Sequence, residues 1–175
     1  MPFALVHGES LVAAASWALT TAGIELFDFG TGLAQLQESE RMLAIHDPLC
    51  PLTPAEFLAE AVEVCERTGA VVVGVRPVTD TVKEYDDSGS GSPLVLGATV
   101  DREDLVCVTS PVVLPAAVLG ALDALETGDL PALVEQLSSR FPVRHLPAPP
   151  LGRRIVEESD LEALTALSEA AGPPD

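Results

Sequence analysis

Apolar residues in this chain fall into short blocks, and the period within each block decides the element it builds. Residues 11–22 (LVAAASWALTTA) are apolar on nearly every side, which suits a buried helix, with Ser10 placed to cap its start and Gly23 just beyond its end. Residues 24–29 (IELFDF) alternate apolar and acidic positions and predict a short strand, punctuated by Gly-Thr-Gly at 30–32. Residues 33–42 predict a short helix with a polar face. Residues 43–46 predict a strand that stops in the proline-bounded loop His46-Asp47-Pro48-Leu49-Cys50-Pro51.

Thr53-Pro54-Ala55-Glu56 predicts a helix start, with Thr53 as cap, Pro54 where its missing N–H costs nothing, and Glu56 closing a capping box. That helix runs to about Arg67 and ends at Gly69, and residues 70–75 (AVVVGV) predict a strand buried on both faces. Residues 43–75 thus form a right-handed βαβ unit. The alternation then breaks. Residues 78–85 and 94–100 predict a two-stranded arm, spanning about 78–104, with a polar tip at 86–93 (DDSGSGSP). Isolated ribbons are marginal, so the arm needs a surface to lie on, such as a second subunit. A strand at 105–109, helices at about 115–126 and at 129–139, a strand at 143–146, a PAPPLG linker and a helix at 159–171 complete the pattern. Ser159 caps that last helix, with Glu162 in the box position. Residues 1–175 read as one α/β domain.

Composition agrees with a folded chain: 175 residues, 47% hydrophobic but only 4% aromatic, so valine, leucine and alanine must build the core. No apolar run approaches the roughly 18 residues that span a bilayer, and no basic segment precedes the apolar residues 11–18 as in a signal peptide. Cys50, Cys65 and Cys107 form no CxxC, which indicates neither a disulfide framework nor a zinc site and makes a cytoplasmic location the default. Charge changes the picture further. Nine basic residues against 27 acidic leave a net charge of −18, which argues against nucleic acid or an anionic membrane as partner. It also counts against an enzyme of nucleoside triphosphates, unless the acidity serves solubility alone; Lys83 is the single lysine.

Three places could carry chemistry. Asp47, beside His46 at the end of a strand, either holds a divalent metal or makes a turn before Pro48. Strand geometry puts Thr79, Thr81 and Lys83 on one face and Asp80 on the other, a face suited either to a phosphate or to solvent at an edge strand. Arg153 and Arg154 form the other basic patch, or an ordinary surface pair. His7, His46 and His145 lie in unrelated settings, no serine has the strand-turn-helix signature of a nucleophile, and the glycines at 30 and 32 lack the pattern of a phosphate loop.

Taken in order, these segments resemble the 2-C-methyl-D-erythritol 4-phosphate cytidylyltransferase family of isoprenoid biosynthesis. The family's VHDAARP element resembles Ile45 to Pro51, and its PVxDTIK element is similar to Pro77 to Lys83. TVDRxxL followed by TPQ resembles Thr99 to Leu105 followed by Ser110, Pro111 and Val112; IKVTxPEDL resembles Arg153 to Leu161. The resemblance implies a nucleotidyltransferase-like (Rossmann-like), mostly parallel sheet with helices on both faces, reduced in its N-terminal half. It also implies a protruding β-arm that crosses to a partner in a homodimer. It makes Asp47 the ligand of Mg²⁺, and Thr79, Asp80, Thr81, Lys83 and Arg154 the binders of substrate.

Departures accompany the resemblance. The family's glycine-rich CTP loop would precede Met1, its GGxxRxxSV segment is largely missing between Gly23 and Leu43, and its TDxAS motif has no counterpart near residues 129–139. Cys50 stands for an arginine, Val112 for a glutamine and Arg154 for a lysine. Transfer of this kind rests on positioning and charge neutralisation, and one lost oriented donor costs roughly 2.7–4 kcal/mol. The expectation is therefore a catalytically inactive dimeric protein that binds or regulates, with itself or another protein as partner. The alternative is an active Mg²⁺-dependent cytidylyltransferase acting on a phosphorylated polyol or sugar. A third reading is a structural protein whose acidic surface recruits a basic partner.

Overall fold

The computed structural model describes residues 4–27, 30–86 and 95–171. A two-residue hairpin, β1 (Leu5–Val6) with β2 (Glu9–Ser10), leads into helix α1 (Leu11–Thr21). Ser10 caps α1 as expected, its hydroxyl accepting the Ala13 N–H at 3.2 Å. α1 buries only Leu11 and Ala15, and Trp17 is 70% exposed. Residues 24–27 pair with no strand, contrary to expectation, and residues 28–29 lie outside the described ones. Alternation is a strand signal only where a neighbouring edge is there to pair with. Helix α2 (Leu33–Glu38) is shorter than predicted and is followed by β3 (Leu43–Ile45).

Helix α3 (Ala55–Thr68) packs on one face of the sheet and ends at Gly69 in the left-handed conformation, φ 63°. Its start corrects the capping expectation. Pro54 holds the N-cap position, and the buried Thr53 hydroxyl donates instead to the Cys50 carbonyl at 2.9 Å. β4 (Val71–Pro77) follows, and its side chains alternate between two cores: Val71, Val73 and Val75 on one face, Val72 with Ala61 and Cys65 of α3 on the other. The arm is β5 (Val82–Asp86) paired antiparallel with β6 (Val95–Val100); these strands pack chiefly on each other, and of the tip predicted at 86–93, residue 86 ends β5 while 87–93 lie outside the described residues.

β7 (Val106–Leu114) returns from the arm, and the sheet order is β3-β7-β4 followed by β8 (Val143–Pro147). β7 is antiparallel to both β3 and β4, whereas β4 and β8 are parallel. The sheet is thus mixed. Three strands share one direction, as the βαβ reading requires, but β7 separates β3 from β4. An excursion through a hairpin-like arm, without a crossover helix, brings the chain back antiparallel to the strand it left.

β7 also runs past Ser110-Pro111, where the sequence predicted its end. The register places Val73 opposite Val112 and Gly74 opposite Thr109, so Ser110 and Pro111 form a bulge in which proline needs no ladder N–H. A Cβ on Gly74 would lie 2.5 Å from the Ser110 carbonyl oxygen, so the bulge requires glycine opposite it. On the face away from α3, helix α4 (Ala116–Gly120) and helix α5 (Leu130–Ser138) supply Val118, Leu119, Leu133 and Leu137 to the core. α4 stops earlier than predicted. The Gln37 amide donates to the carbonyls of Leu119 and Leu122, and the first of these is one that a continued helix would use itself. Helix α6 (Glu158–Ala171) closes the chain. Asp160, not Ser159, accepts the N–H groups of Val156 and Glu157 at its start.

Candidate functional site at the end of β3

β3 ends at Ile45, and the chain turns just beyond it, where the Cys50 N–H donates to the Asp47 carbonyl at 2.8 Å. The Asp47 N–H donates to the Ser110 hydroxyl at 2.7 Å, so the β7 bulge aims a side chain at this loop. One Asp47 oxygen, Oδ1, accepts the Leu49 N–H at 2.9 Å; the other, Oδ2, pairs with Arg154 Nε at 2.6 Å. Arg154 reaches this place because its own segment is tied down. Thr109 donates to the Gly152 carbonyl at 2.7 Å, Arg76 to the Pro149 carbonyl at 2.8 Å, and the Ile155 N–H to the Leu49 carbonyl at 2.7 Å. Ile155 is fully buried, and Arg153 pairs with the buried Asp160.

The pair borders a cavity of about 590 Å³ lined by His46, Cys50, Thr109 and Asp129 among others. Among its lining residues Arg154 is the one cation. Both ring nitrogens of His46 are buried without a hydrogen-bond partner among the described residues. Burial lowers its pKa to about 4 against the opposing pull of Asp47, so the ring is neutral at neutral pH. His46 also borders a second, mainly apolar cavity of about 690 Å³ between α1, α3 and residues 40–44. Cys50 is 1% exposed, lies 3.4 Å from the Thr109 hydroxyl, and has its thiol pKa pushed up by burial, so it is a packing residue and no thiolate.

Of the residues singled out from the sequence, the fold brings Asp47 and Arg154 together. It leaves Thr79, Asp80, Thr81 and Lys83 exposed on the arm, where none of them lines the cavity. β5 begins only at Val82, so the common face predicted for Thr79, Thr81 and Lys83 is not built by strand alternation. The Thr79 carbonyl accepts Arg102 Nη1 at 3.1 Å. Thr109, which ties down the Arg154 segment, carried no functional signal in the sequence, and Ser110, which holds the Asp47 amide, entered only through the resemblance of Ser110, Pro111 and Val112 to TPQ.

The family model of 2-C-methyl-D-erythritol 4-phosphate cytidylyltransferase (IspD) matches residues 28–137. The chain belongs to the IspD family. A cytidylyltransferase of this name from Rhodococcus jostii is 32% identical over 177 residues, covering 97% of this chain and 73% of its own. A bifunctional IspD/IspF enzyme from Clavibacter michiganensis subsp. michiganensis is 38% identical over 147 residues, which is 81% of this chain but 34% of that protein. The chain therefore spans about a third of the length of such bifunctional relatives. The solved structure of a 4-diphosphocytidyl-2C-methyl-D-erythritol synthase superposes with a TM-score of 0.71 at 18% identity, covering 95% of this chain and 93% of that one, and shows the shared fold. The IspD fold thus confirms the α/β nucleotidyltransferase-like architecture, with helices on both faces of a mixed sheet. Among the described residues no helix is long and apolar enough to cross a membrane.

The family implies Mg²⁺, and the donor set here fits it poorly. Magnesium needs one or two carboxylates with oxygens free to approach at about 2.0–2.1 Å. Both Asp47 oxygens are engaged, one by a guanidinium, and the Asp129 Oδ1 caps α5 by accepting the Ala132 N–H. No group of three metal-ligating side chains exists among the described residues.

Proposed function

We propose that this IspD-family chain transfers a cytidylyl group from CTP to a phosphorylated polyol of the 2-C-methyl-D-erythritol 4-phosphate type, with the cavity at the end of β3 as the polyol-phosphate site. The observation that carries this reading is Arg154, held by Asp47 at the rim of that cavity. Its Nε is committed to the carboxylate, which leaves the two Nη groups in a fixed fork for an oxyanion. A volume of about 590 Å³ suits a ligand of this size. In the reaction an acceptor phosphate oxygen bonds to the α-phosphorus of CTP and pyrophosphate leaves. Arg154 orients the acceptor, and neutral His46 neither adds charge nor competes for the phosphate. The names of the relatives support the same chemistry. Thr79, Thr81 and Lys83, exposed on the arm and off the cavity of their own chain, suit a homodimer in which each arm approaches the partner subunit.

A second reading is favoured by one observation: the single cation among the cavity's lining residues is already compensated by Asp47. Under that reading the chain is a dimeric protein that binds the phosphorylated polyol without transferring to it. Pyrophosphate release from CTP, measured with and without 2-C-methyl-D-erythritol 4-phosphate, separates the two. Acceptor-dependent release supports the transferase. Binding of the acceptor without release supports the binding protein, and neither binding nor release sinks both.

A further inference from the structure

The Asp47–Arg154 pair has a consequence for how the site takes a phosphate, and this rests on the polyol-phosphate reading of the cavity. Asp47 sits at a strand end where a divalent cation would ordinarily bridge a carboxylate and a phosphate. In this chain a guanidinium holds that place. Arg154 Nε lies 2.6 Å from Oδ2, while the Leu49 N–H occupies Oδ1 at 2.9 Å. A metal at Oδ2 would have to displace a cation whose backbone is anchored through the Ile155 N–H to the Leu49 carbonyl and through the Gly152 carbonyl to Thr109. The carboxylate's own backbone is anchored to Ser110. The carboxylate charge is already neutralised, and the two imidazole nitrogens of His46 are poor ligands for magnesium.

We propose that Asp47 is a positioning residue for Arg154 and not a metal ligand, and that the guanidinium binds the phosphate monoester of the acceptor without a divalent cation. Both side chains border the cavity, and Arg154, at 46% exposed against 17% for Asp47, is the more open of the two to a ligand. Holding the guanidinium in one rotamer before the ligand arrives spares the ordering cost of a long side chain, which is worth roughly a two- to tenfold gain in affinity. The ion pair is a preorganising device in this arrangement.

Two contributions of Asp47 have opposite signs, and that makes the inference testable. As a bare negative charge it weakens phosphate binding, so Asp47→Asn would tighten it. As the holder of Arg154 it strengthens binding, so Asp47→Asn would loosen it. The experiment is calorimetric titration of 2-C-methyl-D-erythritol 4-phosphate into the full chain, once in excess EDTA and once in excess magnesium chloride. The expected result is the same dissociation constant in both. Asp47→Asn is expected to weaken binding roughly two- to tenfold, and Arg154→Gln roughly ten- to a hundredfold. Arg154→Lys, at a half-exposed position that tolerates the change, is expected to fall between wild type and Arg154→Gln, which keeps the test open if Asp47→Asn misfolds. Binding in magnesium that vanishes in EDTA would overturn the inference and leave the polyol-phosphate reading standing. Tighter binding by Asp47→Asn, or unchanged binding by Arg154→Gln, would also overturn it. No binding in either buffer would reject the polyol-phosphate reading itself.

Discussion

Replacing His46 by leucine removes an imidazole whose two nitrogens are buried and have no hydrogen-bond partner among the described residues, and the effect on stability has a calculable pH dependence. In the unfolded chain the ring takes up a proton near its ordinary pKa of 6.5; in the folded chain burial delays this to about pH 4. Between those values the unfolded state holds the extra proton, so acid favours unfolding. The stability tied to the neutral ring is complete above pH 6.5 and is lost progressively as the pH falls towards 4. At about 1.36 kcal/mol per pH unit, the full interval is worth about 3 kcal/mol, and the part above pH 5 about 2 kcal/mol. Asp160 does not confuse the window. Hydrogen bonds from the amides of Val156 and Glu157 hold the Asp160 pKa below its ordinary value of 3.8, so its contribution is lost only in stronger acid. The assay is urea unfolding of wild type and His46→Leu, followed by far-ultraviolet circular dichroism at several pH values from 8 down to 5. Wild type is expected to lose about 2 kcal/mol more than His46→Leu across that range. Parallel losses in the two proteins would show that His46 protonates equally well in the folded chain and would refute the reasoning.

Other substitutions probe the scaffold. Gly74→Ala places a Cβ 2.5 Å from the Ser110 carbonyl, so it should cost roughly 1–3 kcal/mol in thermal or urea unfolding and shift the Asp47 amide resonance as Ser110 moves. Asp160→Ala strips from a buried position the carboxylate that accepts two N–H groups and pairs with Arg153, and should cost about 2 kcal/mol by the same assay; a loss below about 0.5 kcal/mol would mean that Asp160 does not anchor α6. Deleting residues 79–99 should convert a dimer to monomers in sedimentation velocity, and an unchanged association state would reject the arm as the clasp.

The sequence carried local signals faithfully and tertiary ones unevenly. β4 was legible because five consecutive buried residues, Val71 to Val75, need no partner information to read as a central strand. The arm was legible for a similar reason, since β-formers flank a polar, glycine-rich tip. β7 was cut short because Ser110-Pro111 is turn punctuation unless a bulge and a glycine on the next strand accommodate it, and that glycine lies far away in sequence. Thr53 looked like a cap from spacing alone, but its hydroxyl found the Cys50 carbonyl at closer quarters. The site shows the same division. Asp47 and Arg154 were each visible as candidates, but their pairing depends on how residues 147–155 cross the end of the sheet, which no local pattern encodes. Residues 79–83 kept the family's motif, and the structure holds them on an arm that does not reach the cavity of its own chain.

A crystal structure of the full chain with 2-C-methyl-D-erythritol 4-phosphate tests the central claim most directly. The account predicts the phosphate at the rim of the cavity beside β3, with Arg154 Nη atoms about 2.7–2.9 Å from its oxygens and Nε still on Asp47. A ligand bound elsewhere, or Arg154 swung away from an Asp47 that ligates a metal, would contradict it.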